Sequence, residues 1–252
     1  MNIDLKGKVV LVTGASKGIG AAIAELIGQC GGKVALHANS NLSSAEQIAR
    51  KIGNDSSAVQ ADLNDANATS KLYDQVFERY GRLDVLVNNA GVAISSQLEV
   101  SNERWVEDWQ KTMNVNLLAA AILCKQALPE FKRQGGGIII NISSRAAHRG
   151  DTSDYLAYAA SKGGMESLTK SLARAYGKEN ITVFGVAPGF TRTDMAQDFI
   201  DTYGENYAVD DLALSELTEP KDIAQMVAFL ASGLAKHATG TTIDINAGSY
   251  VR

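Results

Sequence analysis

The chain has 252 residues, 45% hydrophobic and 21% charged, which is the balance of a globular protein with a substantial core. Its formal net charge of −4 gives no electrostatic case for nucleic acid or an anionic membrane surface, and no apolar run reaches the length that spans a bilayer. Met1 to Lys8 lack the apolar core of a signal peptide, and Cys30 and Cys124 stand outside any Cys/His cluster, so a soluble cytoplasmic protein without structural metal or disulfides is expected.

Val9-Val10-Leu11-Val12 is a β-branched run that ends at Thr13-Gly14, and Ile19, Ala22, Ile23, Leu26 and Ile27 then recur at helical spacing. Strand and helix alternate from there: Lys33 to His37 as strand, Ser44 to Ile52 as helix, Ser57 to Gln60 as strand, Ala66 to Tyr80 as helix and Leu83 to Val87 as strand. A long helical stretch is expected from about Asn102 to Arg133, followed by a strand buried on both faces at Gly137 to Ile142. A helix containing Tyr158 and Lys162 follows, then a strand at Ile181 to Val186, a helix at Pro220 to Ala231 and a strand at Thr242 to Ile245. This alternation predicts an α/β protein with one doubly wound parallel sheet and helices on both faces. With no Pro-rich or Ser-rich linker, residues 1–252 read as a single domain. The stretch from Gly189 to Glu219 lacks a clear strand and is read as a substrate lid with short helices or, alternatively, an amphipathic surface excursion.

Two local patterns carry chemistry. Gly14, Gly18 and Gly20 lie in Thr13-Gly14-Ala15-Ser16-Lys17-Gly18-Ile19-Gly20, between a strand and a helix. Glycines there permit a tight turn and let backbone N–H groups approach a phosphate at the positive end of the helix. Tyr158 and Lys162 are four apart in a helical segment, so they share one face. A lysine ammonium beside a phenol favours the phenolate and would make the pair a general acid/base.

With these motifs in view, the chain resembles the short-chain dehydrogenase/reductase family along nearly its whole length. Thr13 to Gly20 matches the family's glycine turn, Asn88-Asn89-Ala90-Gly91 its Asn-Asn-Ala-Gly, Tyr158 to Lys162 its Tyr-x-x-x-Lys, and Pro188, Gly189 and Thr193 its Pro-Gly-x-x-x-Thr. The resemblance implies a Rossmann-type fold, a nicotinamide cofactor and hydride transfer between a carbonyl and a secondary alcohol. It assigns catalysis to Asn116, Ser144, Tyr158 and Lys162, with Asn114 and Ser143 as the alternatives to the first two. Asn116 would use its backbone carbonyl to hold a water behind the lysine, Ser144 would orient the substrate oxygen, and Lys162 would lower the Tyr158 pKa and bond the nicotinamide ribose. Cofactor contacts are implied at Gly14, Ser16, Lys17, Gly18, Ile19, Gly20, Asn39, Ser40, Asp62, Leu63, Asn89, Ala90, Gly91, Tyr158, Lys162, Pro188, Gly189, Thr191 and Thr193.

Several finer expectations follow. The end of the second strand, His37-Ala38-Asn39-Ser40-Asn41, lacks the carboxylate that repels a 2′-phosphate, and Lys17 adds a positive charge, so NADP(H) is favoured over NAD(H). The nearest branch in appearance reduces 3-oxoacyl thioesters on a carrier protein. Glu179-Asn180 stands where that branch tends to place a basic docking residue, and Asp194, Asp198, Asp201, Glu205, Asp210, Asp211 and Glu216 make the 189–219 segment acidic. A small ketone, or an alcohol, diol or sugar oxidised by an NAD-dependent dehydrogenase, is therefore the other substrate reading. A dinucleotide-binding regulator without turnover is the remaining one. The resemblance also implies a homo-oligomer, usually a tetramer, built partly on the helices from Trp105 to Phe131 and the helix carrying Tyr158. His37, His148, Trp105 and Trp109 are read as structural.

Overall fold

The first strand, β1 (Val9–Val12), is buried at every position. Alternation sends Val10 and Val12 into one core and Val9 and Leu11 into the other, so the strand is covered on both sides. The computed structural model describes residues 3–194, 196, 200 and 209–251. In it, β1 joins β2 (Lys33–Ala38), β3 (Ser57–Gln60), β4 (Val85–Asn88), β5 (Gly137–Ile142), β6 (Ile181–Pro188) and β7 (Thr242–Ile245) in one parallel sheet of order β3-β2-β1-β4-β5-β6-β7. Chain direction across the sheet reverses between β1 and β4, which opens a crevice at the carboxyl ends of those strands, where open α/β sheets bind ligands.

Helices cover both faces. Buried side chains of α1 (Gly18–Gln29), α2 (Leu42–Ile52) and α8 (Pro220–Ala231) build one core, among them Ile23, Ile27, Ala45, Ile223 and Val227. Those of α3 (Ala66–Tyr80), α5 (Ala119–Arg133) and α7 (Leu156–Tyr176) build the other, with Leu72, Leu123, Phe131 and Ala173. Two further helices are α4 (Asn102–Met113) and the short α6 (Ala146–Arg149). Among the described residues no helix is long and apolar enough to cross a membrane.

The boundaries differ from the sequence reading where side chains intervene. β4 begins at Val85 and not Leu83, because the Asp84 carboxylate accepts the Val9 N–H at 2.9 Å and a charged pair of bonds from Arg82 at 3.0 and 2.7 Å. Asp84 is thereby a clasp in front of the strand. Helix α2 starts at Leu42, two residues ahead of the expected start, because the N-cap Asn41 accepts from the Ser44 N–H at 3.2 Å. The stretch from Asn102 to Arg133 is helical throughout, yet α4 and α5 are separated by a π-helical turn at Asn114–Leu118. Such a turn accommodates one residue more than an α-helical turn and is frequent at functional sites.

The 189–219 segment is described in part. Thr191 bridges Thr218, and the Arg192 N–H donates to the Thr218 carbonyl at 2.9 Å, so the two ends of the segment lie side by side. Met195, Asp198, Phe199, Asp201, Tyr203, Glu205 and Tyr207 lie outside the described residues.

Candidate active site

The glycine turn is built for close approach. Gly14 and Gly18 have φ of +65° and +56°, left-handed values that cost a side-chain-bearing residue free energy. A Cβ on Gly20 would lie 2.2 Å from the Gly14 carbonyl oxygen, so Gly20→Ala cannot be accepted without moving the turn. We expect this substitution to lower the melting temperature by about 5 °C, as overpacking of about 2 kcal/mol would, and to abolish cofactor binding, both readable in a melt with and without cofactor. Helices α2, α3 and α4 carry side-chain N-caps from Asn41, Asp65 and Ser101, whereas Lys17 gives α1 none. α1 therefore begins beside the glycines without a side-chain cap, an arrangement that suits a pyrophosphate.

Behind the turn is a residue whose role the sequence did not disclose. His37, at the end of β2, is 2% exposed; its Nδ1 accepts the Gly14 N–H at 3.1 Å and its Nε2 faces the Ala61 carbonyl at 3.0 Å. That pair of partners fixes the neutral tautomer with hydrogen on Nε2. Burial lowers the imidazole pKa below its ordinary value, which keeps it in that state. Asn89 supports the turn from the other side, donating from Nδ2 to the carbonyls of Thr13 at 2.8 Å and Gly14 at 3.2 Å. The N–H groups of Asn89 and Ala90 both donate to Thr13 Oγ1 at 2.9 Å.

The remaining expected cofactor residues fall along the same edge of the sheet. Ser16 accepts from the Ser44 hydroxyl through its carbonyl at 2.7 Å. Asn39 and Ser40 are exposed just past β2, and Asp62 is exposed past β3 beside buried Leu63. Lys17 is also exposed, and its ammonium is held by Asp194 Oδ2 at 2.8 Å. The hydrogen bond and charge of Lys17 hold the Asp194 carboxyl below its usual range. Ile19, Asn89, Gly91, Pro188, Gly189, Thr191 and Thr193 line a cleft of about 530 Å³ together with Ser144, Tyr158 and Lys162. The open glycine turn, the uncapped α1 and this continuous cleft fit a dinucleotide whose reactive ring would lie against Ser144 and Tyr158.

At the floor of the cleft, Lys162 is 3% exposed and donates to the Ile142 carbonyl, at the end of β5, at 2.8 Å. Burial pushes its pKa down to about 8, opposed by the negative charge of Glu166. Glu166 is itself buried one turn further along α7; its Oε2 accepts from the Thr242 hydroxyl of β7, and its Oε1 lies 3.8 Å from His148 Nε2. The step of four residues that joins Tyr158 to Lys162 reaches Glu166 when taken once more, so the sequence held a signal for it.

Tyr158 contradicts one expectation. Its ammonium neighbour lies 5.8 Å from the ring centroid, and the phenol pKa is raised, first by burial and then by Asp151, with hydrogen bonding to Ser144 opposing. Burial dominates that balance, so the free protein holds a neutral phenol at neutral pH. Ser144 is buried and accepts the Ala146 N–H at 3.1 Å, which fixes its hydroxyl at the mouth of α6. The alternative, Ser143, turns its hydroxyl toward the Lys162 carbonyl at 3.4 Å.

Asn116 sits within the π-helical turn and is fully buried. Its Oδ1 accepts the Val92 N–H at 2.8 Å, and its Nδ2 donates to the Val92 carbonyl and to Ser161 Oγ, each at 2.9 Å. Gly91 lies between Asn116 and the lysine: a side-chain carbon there would come 3.4 Å from both Asn116 Oδ1 and Lys162 Nζ. The competing Asn114 instead donates outward to Asn64 Oδ1 at 3.1 Å.

Comparison with known proteins agrees with this geometry, since the model of the short chain dehydrogenase family matches residues 8–204. The chain belongs to that family. The short-chain dehydrogenase is 38% identical over 247 residues to the 3-oxoacyl-[acyl-carrier-protein] reductase FabG of Staphylococcus aureus, covering 97% of this chain and 98% of that one. A solved short chain dehydrogenase from Burkholderia cenocepacia in complex with NADP superposes with a TM-score of 0.90 at 34% identity, covering 97% of this chain and 98% of the other. A 7 alpha-hydroxysteroid dehydrogenase complexed with NADH and 7-oxo glycochenodeoxycholic acid superposes with a TM-score of 0.91 at 29% identity, covering 98% and 96%. The short-chain dehydrogenase is thus an NAD(P)-dependent oxidoreductase acting on CH–OH and keto groups, within a family whose members differ in cofactor and substrate.

Proposed function

We propose that this short-chain dehydrogenase reduces a small ketone with NADPH. The observation that carries the reading is the convergence of Ser144, neutral Tyr158 and buried Lys162 on one cleft at the carboxyl ends of the strands. A reduced nicotinamide dinucleotide, held by its pyrophosphate at the glycine turn, would supply the hydride. Ser144 orients the carbonyl oxygen, and Tyr158 delivers its hydroxyl proton to that oxygen as negative charge develops there. Lys162 stabilises the resulting phenolate and holds the ribose, and Asn116 steadies the polar path behind it with a water on its backbone carbonyl. A phenol that is neutral at rest suits proton donation, which favours the reductive direction.

Two observations support a small ketone over a carrier-bound thioester. Glu179, just before β6, is paired with Lys132 at 2.8 Å, and Lys236 donates to Asn180 Oδ1 at 2.6 Å. Lys132 and Lys236 are thus engaged at that corner, leaving exposed Lys178 beside the strand, which gives an acidic carrier little to dock on. NADPH is supported by the carboxylate-free end of β2 and by Lys17, whose ion pair with Asp194 is solvent-exposed, therefore weak, and yields readily to a 2′-phosphate. The same pair favours the second reading, an NAD-dependent dehydrogenase of a small alcohol, if Asp194 keeps the lysine. In this reading residues 1–252 form one catalytic domain, and the protein works in the cytoplasm as a homotetramer. Exposed Val106, Leu118 and Leu156 on the α4, α5 and α7 side of the molecule suit subunit contacts.

The test is turnover of a panel of ketones and alcohols with each cofactor, in wild type and Asp194→Asn. Ketone reduction is expected with NADPH preferred at least tenfold over NADH in kcat/KM, and the preference is expected to widen in the variant. Alcohol oxidation with NAD and no ketone reduction would establish the second reading. Cofactor binding without any turnover would make the protein a dinucleotide-binding regulator.

A further inference from the structure

Arg145 follows Ser144 directly, and its N–H donates to the Pro188 carbonyl at 3.0 Å, which ties its backbone between the ends of β5 and β6. Its side chain is only 12% exposed and lies over the Phe190 ring at 4.9 Å. Burying a guanidinium in a cleft costs free energy unless it is paired, and burial here, with Arg149 nearby, lowers its pKa from the ordinary value. Arg149, at the end of α6, faces the same space. Among the described residues both arginines hydrogen-bond to one atom, Asp211 Oδ2: Arg145 Nη1 at 3.1 Å and Arg149 Nη1 in a shorter contact.

Of the charged residues described as lining the cleft, three are cations, Arg145, Arg149 and Lys162, and one is an anion, Asp151. The interior is therefore cationic although the chain as a whole is acidic. Each guanidinium carries five N–H donors in a planar fork, and one bridging carboxylate oxygen uses a small part of them. Asp151 does not fill the role: its carboxyl pKa is raised by burial, with both arginines opposing, and its described hydrogen bond is to the Thr152 N–H at 2.9 Å. Asp211 also shows which chemistry the pair accepts, since a single carboxylate engages both.

We propose that the ketone carries a carboxylate, and that Arg145 and Arg149 bind it while Ser144 and Tyr158 hold the carbonyl; this rests on the reductase reading above. The adjacency of Arg145 to Ser144 sets the two groups within one side chain's reach of each other, which makes the substrate a short oxo acid. Phe190 covers the methylenes between them. Asp211 is the internal carboxylate that the substrate displaces, so it competes with the substrate for the same donors.

Acetoacetate and levulinate, each against its methyl ester, are the probes, with kcat/KM and calorimetric binding to the cofactor-loaded enzyme measured for wild type, Arg149→Gln, Arg149→Lys and Asp211→Asn. Wild type is expected to prefer at least one acid over its ester by tenfold or more in both measurements. Arg149→Gln brings the ratio near one, Arg149→Lys falls between, and Asp211→Asn tightens acid binding severalfold. Esters bound and reduced as well as acids by wild type, or a preference that survives in Arg149→Gln, would overturn the proposal while leaving the reductase reading intact. Selective binding of an acid without reduction of any ketone would instead refute the reductase reading and keep the carboxylate site.

Discussion

Tyr158→Phe is expected to lower kcat by about a thousandfold, the loss that follows removal of a positioned general acid. Only the hydroxyl is removed, so the ring still packs beside Lys162, and melting temperature and cofactor titration should stay close to wild type. The pH dependence carries the mechanism. Because burial raises the phenol pKa, the proton needed for ketone reduction is present at neutral pH and is lost only as pH climbs through that raised value. Ketone reduction should therefore decline at high pH, while alcohol oxidation, which needs the phenolate, rises over the same range. A Tyr158→Phe variant that keeps a tenth or more of wild-type turnover would remove Tyr158 from the proton path.

Lys162→Met should separate stability from activity. The lysine pKa is about 8 in the folded protein against an ordinary 10.5, so the buried ammonium costs roughly 3 kcal/mol wherever both states are protonated. Below about pH 8 that cost is present in full. Between the two values the unfolded chain binds the extra proton, so wild-type stability rises with pH and the cost fades. Methionine at 162 carries no such charge. The stability of wild type relative to Lys162→Met should thus increase by roughly 3 kcal/mol from pH 7 to above pH 10, read from denaturant unfolding at each pH. Turnover of the variant should fall by about a hundredfold at neutral pH, as expected on losing a charge that stabilises the phenolate. Parallel stability curves for the two proteins would show that Lys162 is not held in a depressed state.

The sequence disclosed what depends on short-range pattern. The runs Val9–Val12, Ser57–Gln60, Gly137–Ile142 and Thr242–Ile245 form strands over those residues, and Ala66–Tyr80 and Pro220–Ala231 form helices at the expected limits. Apolar continuity and helical periodicity are local properties, and the sheet burying both faces is their direct result. The site was legible where spacing alone brings groups together, as with Tyr158 and Lys162 or the three glycines. It was hidden where partners lie far apart in the chain. His37 meets Gly14 across 23 positions, Glu166 meets Thr242 across 76, and Arg145 meets Asp211 across 66. The sign of the Tyr158 shift was missed for a related reason: a charge four residues away is visible in sequence, whereas the desolvation that raises the phenol pKa is a property of the assembled cleft.

The π-helical turn at Asn114–Leu118 sets the phase of everything on either side of it. An α-helix advances about 100° per residue, so removing one residue there would let an ordinary ladder close and swing α4 by about that angle relative to α5. Asn116 would leave Val92 and Ser161, and the polar support beneath Lys162 would come apart although no residue of the cleft itself had changed. The extra residue is thus an indexing device. It lets one long helical run present apolar side chains to the sheet and an asparagine to Val92 and Ser161, two demands that a single helical phase does not meet together.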